Sequence, residues 1–264
     1  MKKIIFFFSV FCTCFFSCQK EDNLLTDRNY PTTIKELDNS IINQKRLAFQ
    51  QQNKYIYTSL NQFGFCDVTE FNSNMPVPQV TEPLSLSDAK QKVEDFCMQN
   101  KAFVGLNDVN SVALAGQGPE TGFYDNSSYW YFGTSSQKID TIEVLGAQIR
   151  IIIRNSEVVS CTGNWYPNIY VPKHFNFDQE EAKSTLRNKT VWHSDISGQS
   201  HPAKITDQAL ASCQINGLKI YPIKSDDKIQ LFVTWKIYVP DVFYILYVDV
   251  MTGETIAAEP TIIS

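Results

Sequence analysis

The chain has 264 residues, 43% of them hydrophobic and 19% charged, with a formal net charge of -5. That length holds one large or two small domains with real cores. An acid excess without any cluster of Lys and Arg argues against nucleic acid as a partner, because binding phosphates takes grouped cations.

The first elements read as a targeting device. Lys2 and Lys3 precede an apolar run from Ile4 to Phe16, shorter than the about 20 residues a spanning helix needs, so residues 1–17 are expected to be a leader for export. Ser17-Cys18 follows. A small residue directly before a Cys, at the end of such a run, resembles a lipobox, with Phe15 standing where that pattern has Leu. The resemblance implies a lipid on Cys18, with diacylglycerol on its sulfur and a further acyl chain on its amine. Each buried CH₂ adds about 0.8 kcal/mol of membrane affinity. Gln19-Lys20-Glu21-Asp22 is similar to the charged tag behind the lipidated Cys of surface-exported lipoproteins of Bacteroidetes. The expected location is the outer membrane or cell surface, lipid-anchored. Losing Lys2 and Lys3 makes the mature chain two units more negative.

Residues 18–31 read as a polar tether ending at Pro31, and residues 32–83 as a long N-terminal helix followed by a linker. Thr33 and Glu36 suggest a capping box. Ile34, Leu37, Ile41, Ala48 and Phe49 recur at roughly helical spacing, with the helix ending before Gly64. Pro76, Pro78 and Pro83 favour extended chain. A second helix opens at Ser85 and Asp88 and puts Ala89, Val93, Phe96 and Cys97 on one face. A glycine-containing loop (Gly116, Gly118, Gly122) leads to an aromatic strand, Ser128 to Phe132.

Ile142 to Arg154 reads as one long strand, in which Ala147, Ile149, Ile151 and Ile153 alternate with Gln148, Arg150 and Arg154. Asn155-Ser156 is a turn and Glu157 to Thr162 the returning strand. Asp178 and Glu181 cap a third helix with Ala182 and Leu186 inward, and residues 193–208 look like a polar loop. Strands are expected at Leu218 to Ile223, Ile229 to Val239, Phe243 to Val250 and Thr255 to Ala258, with a turn at Thr252-Gly253.

The order of capped helix, loop and hairpin thus occurs twice, over residues 84–172 and 173–264. The expected fold is α+β: two tandem halves, each a helix on an antiparallel sheet, behind the N-terminal helix. Two stretches carry a family resemblance: Leu231-Phe232-Val233-Thr234-Trp235-Lys236-Ile237, and Tyr247-Val248-Asp249-Val250-Met251-Thr252-Gly253-Glu254-Thr255-Ile256. A strand with Trp, followed by an Asp-x-x-Thr-Gly-Glu hairpin, resembles the PepSY domain. Val144-Leu145-Gly146-Ala147 and Val158-Val159-Ser160-Cys161-Thr162-Gly163 resemble the related propeptide domain of thermolysin-like and fungalysin-like proteases. The resemblance implies a protein-binding module, protease-inhibitory or chaperone-like, whose client protease is a separate chain. Asp249 accepting from turn amides and Gly253 at positive φ explain the hairpin without any family.

No catalytic constellation is legible, so the expectation is a protein that is not an enzyme and takes no cofactor. There is no His-Glu-x-x-His, no Gly-x-Ser-x-Gly and no glycine-rich phosphate loop. His193 and His201 lie too far apart in an irregular segment to suggest a metal site. Cys66, Cys97, Cys161 and Cys213 match no zinc spacing. Reduced core thiols are the simpler reading, while export leaves one or two disulfides open. The binding candidates are two aromatic clusters, one with Tyr124, Tyr129, Trp130 and Tyr131, the other with Trp165, Tyr166 and Tyr170. Alternation places half of each in the core. The other half packs against the neighbouring half-domain or forms a platform, which is the basis of an alternative reading as a surface adhesin or glycan-binding lipoprotein.

Overall fold

The structure, a computed structural model, describes residues 27–72, 76–106, 112–123, 126–194 and 200–261. The leader, Cys18, most of the tether and Tyr124 lie outside the described residues. In chain order the first elements are β1 (Thr32–Lys35), α1 (Asn39–Gln52), β2 (Ile56–Leu60), β3 (Cys66–Phe71), α2 (Leu86–Gln99), α3 (Lys101–Val104), β4 (Leu114–Thr121) and β5 (Ser128–Thr134). Then come β6 (Lys138–Ile139), β7 (Ile142–Val144), β8 (Ile149–Arg154), β9 (Glu157–Gly163), α4 (Gln179–Ser184), β10 (Thr190–Ser194) and β11 (Ser200–Lys204). The last are α5 (Asp207–Ser212), β12 (Gln214–Lys224), β13 (Lys228–Val239), β14 (Tyr244–Asp249) and β15 (Thr255–Pro260). The fold is mixed α+β, mostly strand with few helices. Among the described residues no helix is long and apolar enough to cross a membrane.

The first sheet runs β2-β3-β9-β8-β5-β4, and the second β15-β14-β13-β12-β7-β6 with β1 beside β13. The first is antiparallel throughout; in the second, β7 runs parallel to β12. Helix α2 covers the inner face of the first sheet. Ser85 accepts from the Asp88 amide at its N-terminus, and Ala89, Val93, Phe96 and Cys97 are its buried residues. They pack on Trp130, Phe132, Ile151, Ile153 and Cys161. Fully burying such side chains stabilises by about 1.5–3 kcal/mol each. Helices α4 and α5 cover β13 and β14 in the same way, with Leu186 and Leu210 on Ile237, Leu246 and Val248. The complete capping box at α4, Asp178 with Glu181, matches the sequence reading. A third core lies where the sheets meet and joins Phe63, Val144 and Tyr166 to Ile220, Leu231 and Val250.

Five expectations need correction. The chain does not enter one long helix near Thr33: residues 32–35 form β1, in register Thr32↔Leu231 to Lys35↔Lys228, and α1 begins only at Asn39. Two adjacent β-branched Thr residues and an Ile suit a pleated edge better than a helix start. The stretch read as the helix tail holds β2, paired with β3 beyond Gly64; in β2 Ile56 and Thr58 are buried and Tyr57 and Ser59 exposed, a period of two. The long strand over 142–154 is two strands in different sheets. The break falls at Gly146, with φ +68, which a glycine adopts without strain. The described residues of 193–208 include β11, the end of β10 and part of α5, which is capped by Thr206 and buries Ala209 and Leu210. Strand β4, read as a loop, pairs with β5 yet is exposed along almost its whole length, so it carries no apolar alternation to read.

Candidate binding surfaces

The hairpin of the family resemblance is a lock. Asp249 is 1% exposed. Its carboxylate accepts from the Met251 amide at 3.1 Å and the Thr252 hydroxyl at 2.9 Å, and also from the Tyr30 hydroxyl. Burial, then the neighbouring Asp249, pushes the Tyr30 phenol far up, so it stays a donor. The hairpin carbonyl of Val250 takes the amides of Asn176 and Phe177, and Trp235 donates to the Phe177 carbonyl at 3.0 Å. Gly253 sits at φ +68, and a Cβ there would meet the Phe177 ring at 2.6 Å. The buried Asp249 carboxylate and the Trp235 indole are thus spent on the fold. Asp249, Trp235 and Gly253 are structural, and they tie the chain entering β1 to the β14–β15 turn.

The aromatic residues of the two clusters have separate fates. Trp130 is 4% exposed, its ring in the first core and its Nε1 on the Leu84 carbonyl. Tyr166 is also buried, edge-on to Phe65. Trp165 packs half-buried against the first core. Tyr129 and Tyr131 point to the open side of β5 and stack at 6.4 Å between ring centroids. The most exposed tryptophan of the structure is elsewhere: Trp192 on β10, at 64%. A short period-two stretch, Val191 buried beside Trp192 exposed, was the available signal, but the polar surroundings hid it.

Trp192 walls a groove of about 520 Å³ with Val191, Leu246, Ala258 and Pro260. It is the second core opening to solvent, since Tyr244 and Leu246 belong to that core. Strand β15 ends the sheet, and among the described residues nothing pairs with its outer side. Lys189, at the groove's end, donates to the Thr255 hydroxyl, and burial lowers its pKa.

The four body cysteines are free thiols. Burial pushes Cys97 up to about 11, and burial with the neighbouring Cys66 and Cys97 raises Cys161 well above the thiol range, which keeps both protonated and poor nucleophiles. Among the described residues no three His, Cys, Asp or Glu side chains are grouped to hold a metal. The backbones of His193 and His201 are paired in the β10–β11 register.

No family model matches the sequence, and no curated protein does. Among solved structures the chain is similar to the C-terminal domain of YpeB from Bacillus megaterium. The identity is 13% over 86% of this chain and 99% of that one, with a TM-score of 0.29. Backbones that overlap so loosely carry no argument, so the α+β assignment rests on this chain's own sheets.

Proposed function

We propose that the protein is a non-enzymatic envelope lipoprotein, held by a lipid on Cys18 at the outer membrane or cell surface, that binds an extended segment of a client protein. The observation that carries this reading is the apolar groove beside the unpaired outer side of β15. A sheet edge offers free amides and carbonyls to an added strand, and a pocket for alternate side chains supplies the selectivity. Ala258 and Pro260 are small and exposed there, which leaves room for the client's apolar residues under Trp192. The resemblance of Trp235 and the Asp249–Glu254 hairpin to propeptide-type domains supports a protease as the client, restrained or chaperoned rather than cleaving.

The test is titration of the mature chain against a panel of purified envelope and secreted metalloproteases, read as inhibition and as a complex in size-exclusion chromatography. At least one protease is expected to form a stoichiometric complex. Ala258→Arg, which fills the groove at an exposed position, is expected to abolish it while leaving the unfolding curve intact. A panel without any complex, or a complex that Ala258→Arg leaves untouched, sinks the reading.

A further inference from the structure

A second cleft, of about 470 Å³, lies between residues of the two sheets. Its walls come from both sheets: Arg150 of β8 and Asn164 after β9 from the first, Lys224 of β12 from the second, with Asn61 of the β2–β3 turn and Tyr166 between them. The volume is that of a small-ligand site. Among the described residues that line it there is no carboxylate. Asp226 and Asp227, just beyond Lys224, sit at the β12–β13 turn, and Asp227 already accepts from Ser225.

Gln148 donates to Ser136 and Cys66 to the Cys161 carbonyl, but other side-chain donors of this cleft have no acceptor among the described residues. Arg150 and Lys224 make no ion pair; the Lys224 ammonium rests 5.7 Å from the centre of the Phe63 ring. Asn61 spends its carbonyl oxygen on the amides of Phe63 and Phe65, each at 3.1 Å, and its NH₂ group donates to no described residue. Asn164 and the Tyr166 hydroxyl also bond to nothing described. Burial raises the Tyr166 phenol, so it remains a donor. Polar groups held together without partners look for acceptor oxygens, and two cations among them ask for an anion.

We infer that this cleft binds a carboxylated saccharide, with Arg150 and Lys224 on the carboxylate and Asn61, Asn164 and the Tyr166 hydroxyl on ring and hydroxyl oxygens. A peptide is the weaker fit. The cleft opens on the face of the first sheet, whose backbone groups are already paired in the ladder, so an added strand finds nothing to bond. A sugar needs only side chains and flat surfaces. The same face supplies these: Tyr131 lies opposite Ile152, two residues along β8 from Arg150, about 7 Å away, with Tyr129 stacked behind it. A glycan leaving the cleft along β8 passes over Ile152 onto this Tyr pair. The site is independent of the β15 groove.

Calorimetric titration of the mature chain with short oligogalacturonates tests it. The expected result is saturable binding that falls about tenfold or more when the carboxyls are reduced to alcohols, since a hydrogen bond to a charged group is lost. Arg150→Ala and Lys224→Ala, both at exposed positions, should each weaken binding by a similar factor with an unchanged unfolding curve. Tyr131→Ala should weaken long oligomers more than short ones. Absence of binding, equal binding of the reduced sugar, or indifference to Arg150→Ala and Lys224→Ala overturns the inference. So does competition by polyglutamate at equal strength, which would make this a peptide site.

Discussion

The turn between β14 and β15 hangs on a buried carboxylate, whereas the turn between β8 and β9 hangs on a buried amide. Asp249 and Asn155 are each 1% exposed. Asp249 accepts only, and gathers three donors from Tyr30, Met251 and Thr252. Asn155 both accepts from the Ser128 amide and donates to the Pro78 carbonyl, each at 3.0 Å. The first lock ties the chain's entry into β1 to the last hairpin of the second sheet. The second ties the proline-rich segment to the first sheet. An acceptor-only group suits a site where several donors converge, while an amide suits one that bridges a donor to an acceptor.

The comparison is broken most sharply by removing each group. Asp249→Ala strands buried donors on two elements and is expected to cost about 3 kcal/mol or more in urea unfolding. A loss below about 1 kcal/mol would show that the convergence does not hold the sheet. Asn155→Ala loses two hydrogen bonds and puts Ala at φ +54, for a smaller cost of about 2 kcal/mol. Asn155→Gly should recover the backbone part of that loss.

Two glycines sharpen the same contrast, because both have φ +68. Gly146, between β7 and β8, has nothing within 4 Å of a built Cβ, so Gly146→Ala should cost only the left-handed penalty of about 1 kcal/mol. Gly253 abuts Phe177, and Gly253→Ala should cost about twice as much. Equal thermal shifts for the two variants would remove Phe177 from the account of the hairpin.

The smallest effect concerns the Glu143–Lys219 pair between β7 and β12, at 2.6 Å. The bond from Lys219, then one from Ser136, holds the Glu143 carboxyl below its ordinary value. The pair's contribution is therefore present above the unfolded carboxyl pKa, about 4.3, and is lost as pH falls through the lower folded value. Both side chains are partly exposed, so less than about 1 kcal/mol is expected. Lys219→Met should flatten that part of the stability-against-pH curve. An unchanged curve would show that the pair adds nothing.

Elements with their own chemistry were legible. Ser85 and Asp178 announced α2 and α4, and Asp249 with Gly253 announced the last turn. The misread elements lacked such marks. Strand β4 is exposed on nearly every residue, and β1 is four residues whose partner, β13, lies about two hundred positions on. Of the surfaces, the aromatic residues were visible as a group, but their burial was not. Trp192 and the donors of the second cleft did not stand out, since Arg150, Asn164 and Lys224 are ordinary surface residues until the two sheets meet.

By itself the sequence determined the local matters: the capped helices, the α+β alternation and the turn that needs Asp249 and Gly253. These depend on neighbours a few residues apart, where side-chain hydrogen bonds and φ preferences act directly. Only the tertiary structure decided that residues 142–154 divide between two sheets, that Tyr30 is the third donor to Asp249, and that Trp130 is core while Trp192 is surface. Those outcomes depend on which long-range strands pair and which face a helix covers, and a single residue shift in register moves every side chain to the opposite face.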